Sequence, residues 1–262
     1  MRKADKIKLS VMVGVSLLAF VVGCVDTAVQ PIPTTIVYKS DVSIVNLVAG
    51  TGAATVNVYH SIVDPAALDT NNLATKIDYS SATMSGTANL GSTLPSSSYR
   101  EMPSGGIAVV TSFANSAPDT FITSATSQYK MRFFLFGDST AGSRSLVRST
   151  ERYTWQTPGS SEGAQVFPSG ETAFRFVNGC PDASSLQIQI YSAADDSLLD
   201  FGDFNYQDVA SYYQLPAGSY YFLIYGDTSY DSVAVSMGSQ KRYTIVSYNY
   251  DANLQSKVLT DD

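Results

Sequence analysis

Few residues of this chain could do chemistry. There is one histidine, His60, and there are two cysteines, Cys24 and Cys180. A nucleophilic triad would have to be built on His60, because serine or cysteine needs a base to take its proton. His60 ends an alternating segment, and a matching segment later in the chain has Ser192 at that place. It therefore reads as a structural strand-end residue. Cys180 lies in the other half of the chain, and no CxxC or His/Cys cluster offers a zinc site. Carboxylates pair as Asp195-Asp196, Asp200/Asp203, Asp227/Asp231 and Asp261-Asp262. Acid–base catalysis needs one member of a pair in an apolar setting, whereas these sit beside Gly, Ser and Asn in loop-like stretches. The run Asp227-Thr228-Ser229-Tyr230-Asp231 could offer oxygens to a calcium ion but lacks the full EF-hand pattern. No phosphate-binding glycine loop is present. The expectation is a protein that is not an enzyme and carries no cofactor or metal.

Recognition chemistry is better represented. The chain has 17 tyrosines, and tyrosine supplies large contact area at low side-chain entropy cost. Tyr191, Tyr213, Tyr221 and Tyr225 form the candidate binding surface. In Tyr220-Tyr221-Phe222-Leu223-Ile224-Tyr225 both strand faces are aromatic or aliphatic. One face must be core; the other is a sticky outer face, an inter-domain contact or strand filler. A second candidate is the Ser/Thr/Asn/Gly-rich insertion within 61–95, since long insertions are either functional or disordered.

These residues sit on a repeated scaffold. Val45-Asn46 recurs as Val177-Asn178, Tyr59 as Tyr191, and Ser98-Tyr99 with Pro103-Ser104-Gly105 as Ser211-Tyr212 with Pro216-Ala217-Gly218. Val56 and Val58 match Ile188 and Ile190 in the same period-2 phase, the mark of a half-buried strand. The first copy is longer between Tyr59 and Ser98, which is the 61–95 insertion. Tyr129–Phe136 parallels Arg242–Tyr248, and 145–150 parallels 256–260 as a closing strand. The domains are thus expected at 38–157 and 171–262, joined by a Gly/Ser/Pro-rich linker at 158–170.

Nearly every element is short, rich in Val, Ile, Thr, Tyr and Phe, and bounded by turn residues. The second copy reads as strands near 173–178, 186–191, 197–201, 206–214, 220–226, 231–237, 242–249 and 255–260. The predicted fold is all-β: two tandem immunoglobulin-like antiparallel β-sandwiches. Leu186, Ile188 and Ile190 should face the core, with Gln187 and Gln189 outward. Pro216 and Gly218 predict a hairpin turn, with Pro presetting φ and Gly left-handed.

The first residues carry an address. MRKADKIK is cationic, and residues 9–22 are apolar or small, a stretch shorter than the ~20 residues that span a bilayer. That is the shape of a secretory signal. Val21-Val22-Gly23-Cys24 resembles the lipobox of bacterial lipoproteins. The resemblance implies that 1–23 is a lipoprotein signal peptide and that Cys24 carries the lipid, palmitate included. Residues 24–37, with Pro31 and Pro33, are then a tether. Acyl anchoring gains ~0.8 kcal/mol per buried methylene. The implied place is the cell envelope, at the outer membrane, with Asp26 two residues after Cys24 rather than next to it. With Cys24 lipidated, Cys180 has no disulfide partner and is expected as a small buried or loop residue. The net charge is −7, and Lys/Arg cluster only at the start of the chain, which argues against nucleic acid as a partner.

In the second copy, FRFVNGCPDASSLQIQIYS, SYYQLPAGSYYFLIY and KRYTIVSYN follow in order. This looks like the bacterial domain-of-unknown-function family DUF4397. Cys180-Pro181-Asp182-Ala183 stands where that family has Ser-Pro-Asp-Ala, and Leu215-Pro216-Ala217-Gly218-Ser219-Tyr220 matches its hairpin phrase. The first copy lacks the Pro-Asp-Ala. The resemblance implies an immunoglobulin-like fold and an envelope address, and supplies no reaction or ligand. Two functions stay open: a non-catalytic binding or adhesion module for a glycan or protein partner, or a structural spacer or assembly subunit of an envelope complex. The oligomeric state is open.

Overall fold

The computed structural model describes residues 39–61, 77–96, 99–127, 129–139, 142–152 and 168–261. The expected signal peptide, Cys24 and the expected tether, residues 62–76 of the insertion and most of the expected linker lie outside them. Among the described residues there is no α-helix, so none is long and apolar enough to cross a membrane.

The chain is all-β, as its short Val/Ile/Tyr-rich segments predict. The first copy forms β1 (Lys39–Ala49), β2 (Ala53–His60), β3 (Met84–Asn89), β4 (Thr93–Leu94), β5 (Arg100–Pro103), β6 (Gly105–Ser112), β7 (Asp119–Ala125), β8 (Tyr129–Asp138) and β9 (Arg144–Arg152). The second forms β10 (Glu171–Gly179), β11 (Leu186–Ser192), β12 (Leu198–Phe204), β13 (Tyr213–Pro216), β14 (Gly218–Tyr225), β15 (Tyr230–Met237), β16 (Arg242–Tyr248) and β17 (Gln255–Thr260). Each copy is a two-sheet sandwich. Sheet β3-β2-β6-β7 faces β4-β1-β8-β9, with β5 also on β1; sheet β12-β11-β14-β15 faces β13-β10-β16-β17. Leu186, Ile188 and Ile190 are buried and Gln187 is exposed, as the alternation requires.

One seam in each sandwich departs from the antiparallel pattern. β1 runs parallel to β8, and β10 to β16. Parallel pairs occur where both faces of a sheet are covered, and these four strands are buried along nearly their whole length. Ile44, Phe133, Phe174, Phe176 and Ile245 fill the two sandwich cores. The alternate residues Val45, Leu47, Phe134, Phe136, Val177 and Val246 form a third core. The two central sheets therefore pack on each other, and residues 38–262 are one compact unit.

Two buried arginines cross that third core. Arg132 on β8 gives Nη1 to Asp261, which follows β17, and Nη2 to the Thr260 carbonyl at 3.2 Å. Asp261 also accepts from Tyr212 Oη at 2.7 Å and Thr244 Oγ1 at 2.6 Å. Arg175 on β10 donates Nε to Thr244 Oγ1 at 2.8 Å and Nη1 to Ser149, and stacks on Tyr212. Burying a charge is costly unless it is paired and hydrogen-bonded in this way.

The hairpin expected at Pro216-Ala217-Gly218 is not there. β13 pairs with β10 and β14 with β11, so the phrase carries the chain from one sheet to the other. Gly218 is not left-handed; among these turn glycines only Gly105 has positive φ, at 140°. Such corners are how strands switch sheets. Pro216 fits because β13 is an edge strand, where a missing N–H costs no ladder bond. Tyr220 Oη donates back to the Pro216 carbonyl at 2.6 Å, bracing the corner as a tyrosine corner does. The strand expected over 206–214 is shortened for the same reason: only Tyr213–Pro216 pairs along β10, with a single bridge at Val209.

Candidate functional site

The outer face of sheet β12-β11-β14-β15 is built by register. Because alternate residues leave each strand on the same side, three rows cross it. Leu198, Tyr191, Tyr221 and Ala234 form the first; Asp200, Gln189, Leu223 and Ser232 the second; Asp203, Gln187, Tyr225 and Tyr230 the third. Tyr191 and Tyr221 are direct cross-strand neighbours with ring centroids 6.0 Å apart, and Tyr225 and Tyr230 lie 6.1 Å apart. Leu198, Tyr221 and Tyr230 are exposed by 57%, 45% and 71%, which is unusual for side chains of this size. The two tyrosine pairs are separated by four residues of β14, about 14 Å along an extended strand. None of these residues is Lys or Arg.

Three of the four tyrosines singled out by sequence thus share one face. Tyr213 does not join them. It lies on β13, in the other sheet, with its ring 4.3 Å from Phe201 and 6.1 Å from Phe174. Leu198 and Tyr230 were missed: neither belongs to a repeated phrase, and only the register across the sheet reveals them. Tyr191 Oη donates to Asp196 in the β11–β12 turn; that bond, ahead of burial and nearby charge, raises its pKa above the ordinary tyrosine range. The first sandwich carries a related pair, Tyr59 on β2 and Tyr79, with centroids 5.2 Å apart.

The family phrases are structural. Asn178, buried on β10, accepts from the Cys180 amide at 2.8 Å and donates to the Phe204 carbonyl at 2.9 Å, tying the two sheets together. Asn46 does the same in the first copy, accepting from Val48 and donating to Ala88. Asp182 accepts from the Asp251 amide at 2.7 Å. Cys180 is fully buried and free, and burial pushes its thiol up to about 12.

The remaining candidates assemble no reactive group. His60 lies at the end of β2 with Nε2 3.1 Å from the Ser104 carbonyl. Asp227 accepts from the Ser184 amide and hydroxyl, bonds that lower its pKa. Asp251 takes the Thr228 amide and hydroxyl, and a Cβ at Gly226 would lie 1.7 Å from its Oδ1. Among the described residues no group of three His, Cys, Asp or Glu is placed to hold a metal.

The architecture defines a two-sandwich all-β protein with an exposed aromatic sheet face. Within it, residues 172–262, the second sandwich, match the family model described as "Domain of unknown function (DUF4397)". No curated protein matches the chain. Among solved structures, a leucine-rich repeat protein from Bacteroides thetaiotaomicron VPI-5482 is similar at 9% identity over 81% of this chain and 26% of its own, with a TM-score of 0.19. This chain spans about a quarter of that protein's length.

Proposed function

We propose that this chain is a non-catalytic cell-envelope lipoprotein, lipidated on Cys24 and delivered to the outer membrane, that binds a glycan or protein partner on the outer face of its second sandwich. The observation that carries the binding role is the three-row face with Tyr191, Tyr221, Tyr225 and Tyr230 at its two ends. Large exposed aromatics at such density mark interaction surfaces. Besides the aliphatic Leu198, Leu223 and Ala234 the face is aromatic, amide and hydroxyl, with acids only along β12, a chemistry that suits a glycan: rings stack on sugar CH faces and Gln and Ser side chains exchange hydrogen bonds with hydroxyls.

The spacer reading is favoured by a different observation, the third core that locks both sandwiches into one body. A glycan array probed with the full chain separates the two. Binding that falls in Tyr221→Ala and Tyr225→Ala supports the module; equal capture in both variants moves the binding off the outer face, and a chain that captures nothing leaves the spacer. Palmitate labelling tests the anchor: label lost in Cys24→Ala supports it, and label retained refutes it.

A further inference from the structure

A pocket of about 230 Å³ opens at one end of the second sandwich, between the β11–β12 turn and the Pro-Ala-Gly corner. Ile190 and Leu199 wall it on one side, Leu215 and Pro216 on the other. Leu199 pairs with buried Ile190 and so shares its inward side, yet it is 49% exposed. The core is left open here. Asp195 stands at the rim, and Ser192, Ser197 and Ser219 add hydroxyls. The Asp195 carboxylate accepts from the Ser197 hydroxyl at 2.7 Å and amide at 3.2 Å. Hydrogen bonds from the Ser197 hydroxyl, the Ser192 hydroxyl and the Ser197 amide, in that order, keep its pKa below the usual carboxylate range; like any aspartate it is an anion at neutral pH. Buried Tyr220 lines the pocket, its own proton committed to Pro216.

We propose that this pocket seats a single pyranose ring at the end of a glycan, with the CH face of the sugar on Leu199, Leu215 and Pro216 and its hydroxyls on Asp195 and the rim serines. The inference rests on the binding reading above and names its end-on subsite. An anionic acceptor makes stronger hydrogen bonds to hydroxyls than a neutral one. A sugar hydroxyl can donate to the Asp195 carboxylate and also accept from a rim donor, whereas an ammonium group only donates. Tyr191 and Tyr221 lie across the sheet from Ser192 and Tyr220, at the same strand ends, so a glycan that leaves the pocket and rounds the end of the sheet meets the Tyr191–Tyr221 pair.

The test is amide NMR of the full chain titrated with a panel of methyl pyranosides, and with butylammonium as the competing chemistry. The proposal expects at least one glycoside to shift residues 192–199 and 215–220. Asp195→Asn should weaken that binding about 10-fold, the usual loss for a hydrogen bond to a charged group, and Ala217→Trp should block it while melting stays near wild type. No shift with any glycoside, an unchanged Kd in Asp195→Asn, or a response to butylammonium alone overturns it. Tyr225→Ala, at the far end of the face, distinguishes the readings. If array capture is insensitive to Tyr221 and Tyr225 but the pocket still titrates, only the outer-face reading fails. If capture depends on them and the pocket is silent, only the pocket fails.

Discussion

Loss of Asp261 should be felt across both sandwiches at once. Its carboxylate is wholly buried and its partner Arg132 is 1% exposed, so solvent does not screen the pair. Removing one member of a buried ion pair costs about 3–5 kcal/mol, because the other charge is left uncompensated. Asp261→Ala also takes the acceptor from Tyr212 and Thr244, which places the loss toward the upper end. For a chain of this size each kcal/mol moves Tm by ~2–4 °C, so the variant should melt about 6–20 °C lower. The assay is thermal and urea unfolding of the full chain, followed in parallel by near- and far-UV circular dichroism. Arg132 belongs to the first sandwich and Asp261 to the second, and the third core joins them. A single transition should therefore shift as one. A fall of less than about 2 °C, worth under 1 kcal/mol here, would refute the reasoning. So would a two-step curve in which only one step moves. The double variant Arg132→Met/Asp261→Leu should recover much of the loss, since apolar replacement of a buried pair is often neutral.

Other expectations follow from the same contacts. Asn178→Ala strands the Cys180 amide and the Phe204 carbonyl and should cost about 2–4 kcal/mol in urea unfolding; Asn46→Ala should cost a similar amount. Gly226→Ala drives a methyl into the Asp251 carboxylate and should destabilise by about 1–3 kcal/mol in the same assay. Cys180 should resist iodoacetamide in the native state and react once the chain is unfolded, as read by mass spectrometry. Its folded pKa is raised, so the neutral thiol favours the native state fully below the unfolded value of ~8.5. That contribution is lost as pH climbs from there toward about 12.

Much of the scaffold was legible because β-strands write their period into the sequence. Ile188 and Ile190 announced their inward side, whereas β14 is apolar on both faces and only its register separates buried Tyr220 from exposed Tyr221. The central strands carry a further signal that the expectation of two separate antiparallel sandwiches does not use. Phe174–Val177 and Met131–Phe136 are apolar on both faces apart from Arg175 and Arg132, the composition of strands covered on both sides. Those two arginines mark the third core, but a single chain position does not reveal that its partner, Asp261, lies in the other sandwich. The corner at Pro216-Ala217-Gly218 was misread because Pro and Gly signal a reversal without saying whether the next strand pairs with the last or crosses to the other sheet. Tyr213 was grouped with Tyr191 and Tyr221 for that reason. Leu198, Leu199 and Tyr230 carry no motif, and their exposure depends on register and on the end of the sandwich staying open.

The binding role of the outer face is tested most directly by hydroxyl-radical footprinting of the full chain, alone and with the glycan that the array selects. Tyr221 and Tyr230 are exposed enough to be modified in the free protein. The account predicts that the glycan protects Tyr221, Tyr230 and Leu198 together and leaves Tyr79, on the first sandwich, as reactive as before. Protection confined to other residues, or none at saturating glycan, would contradict it.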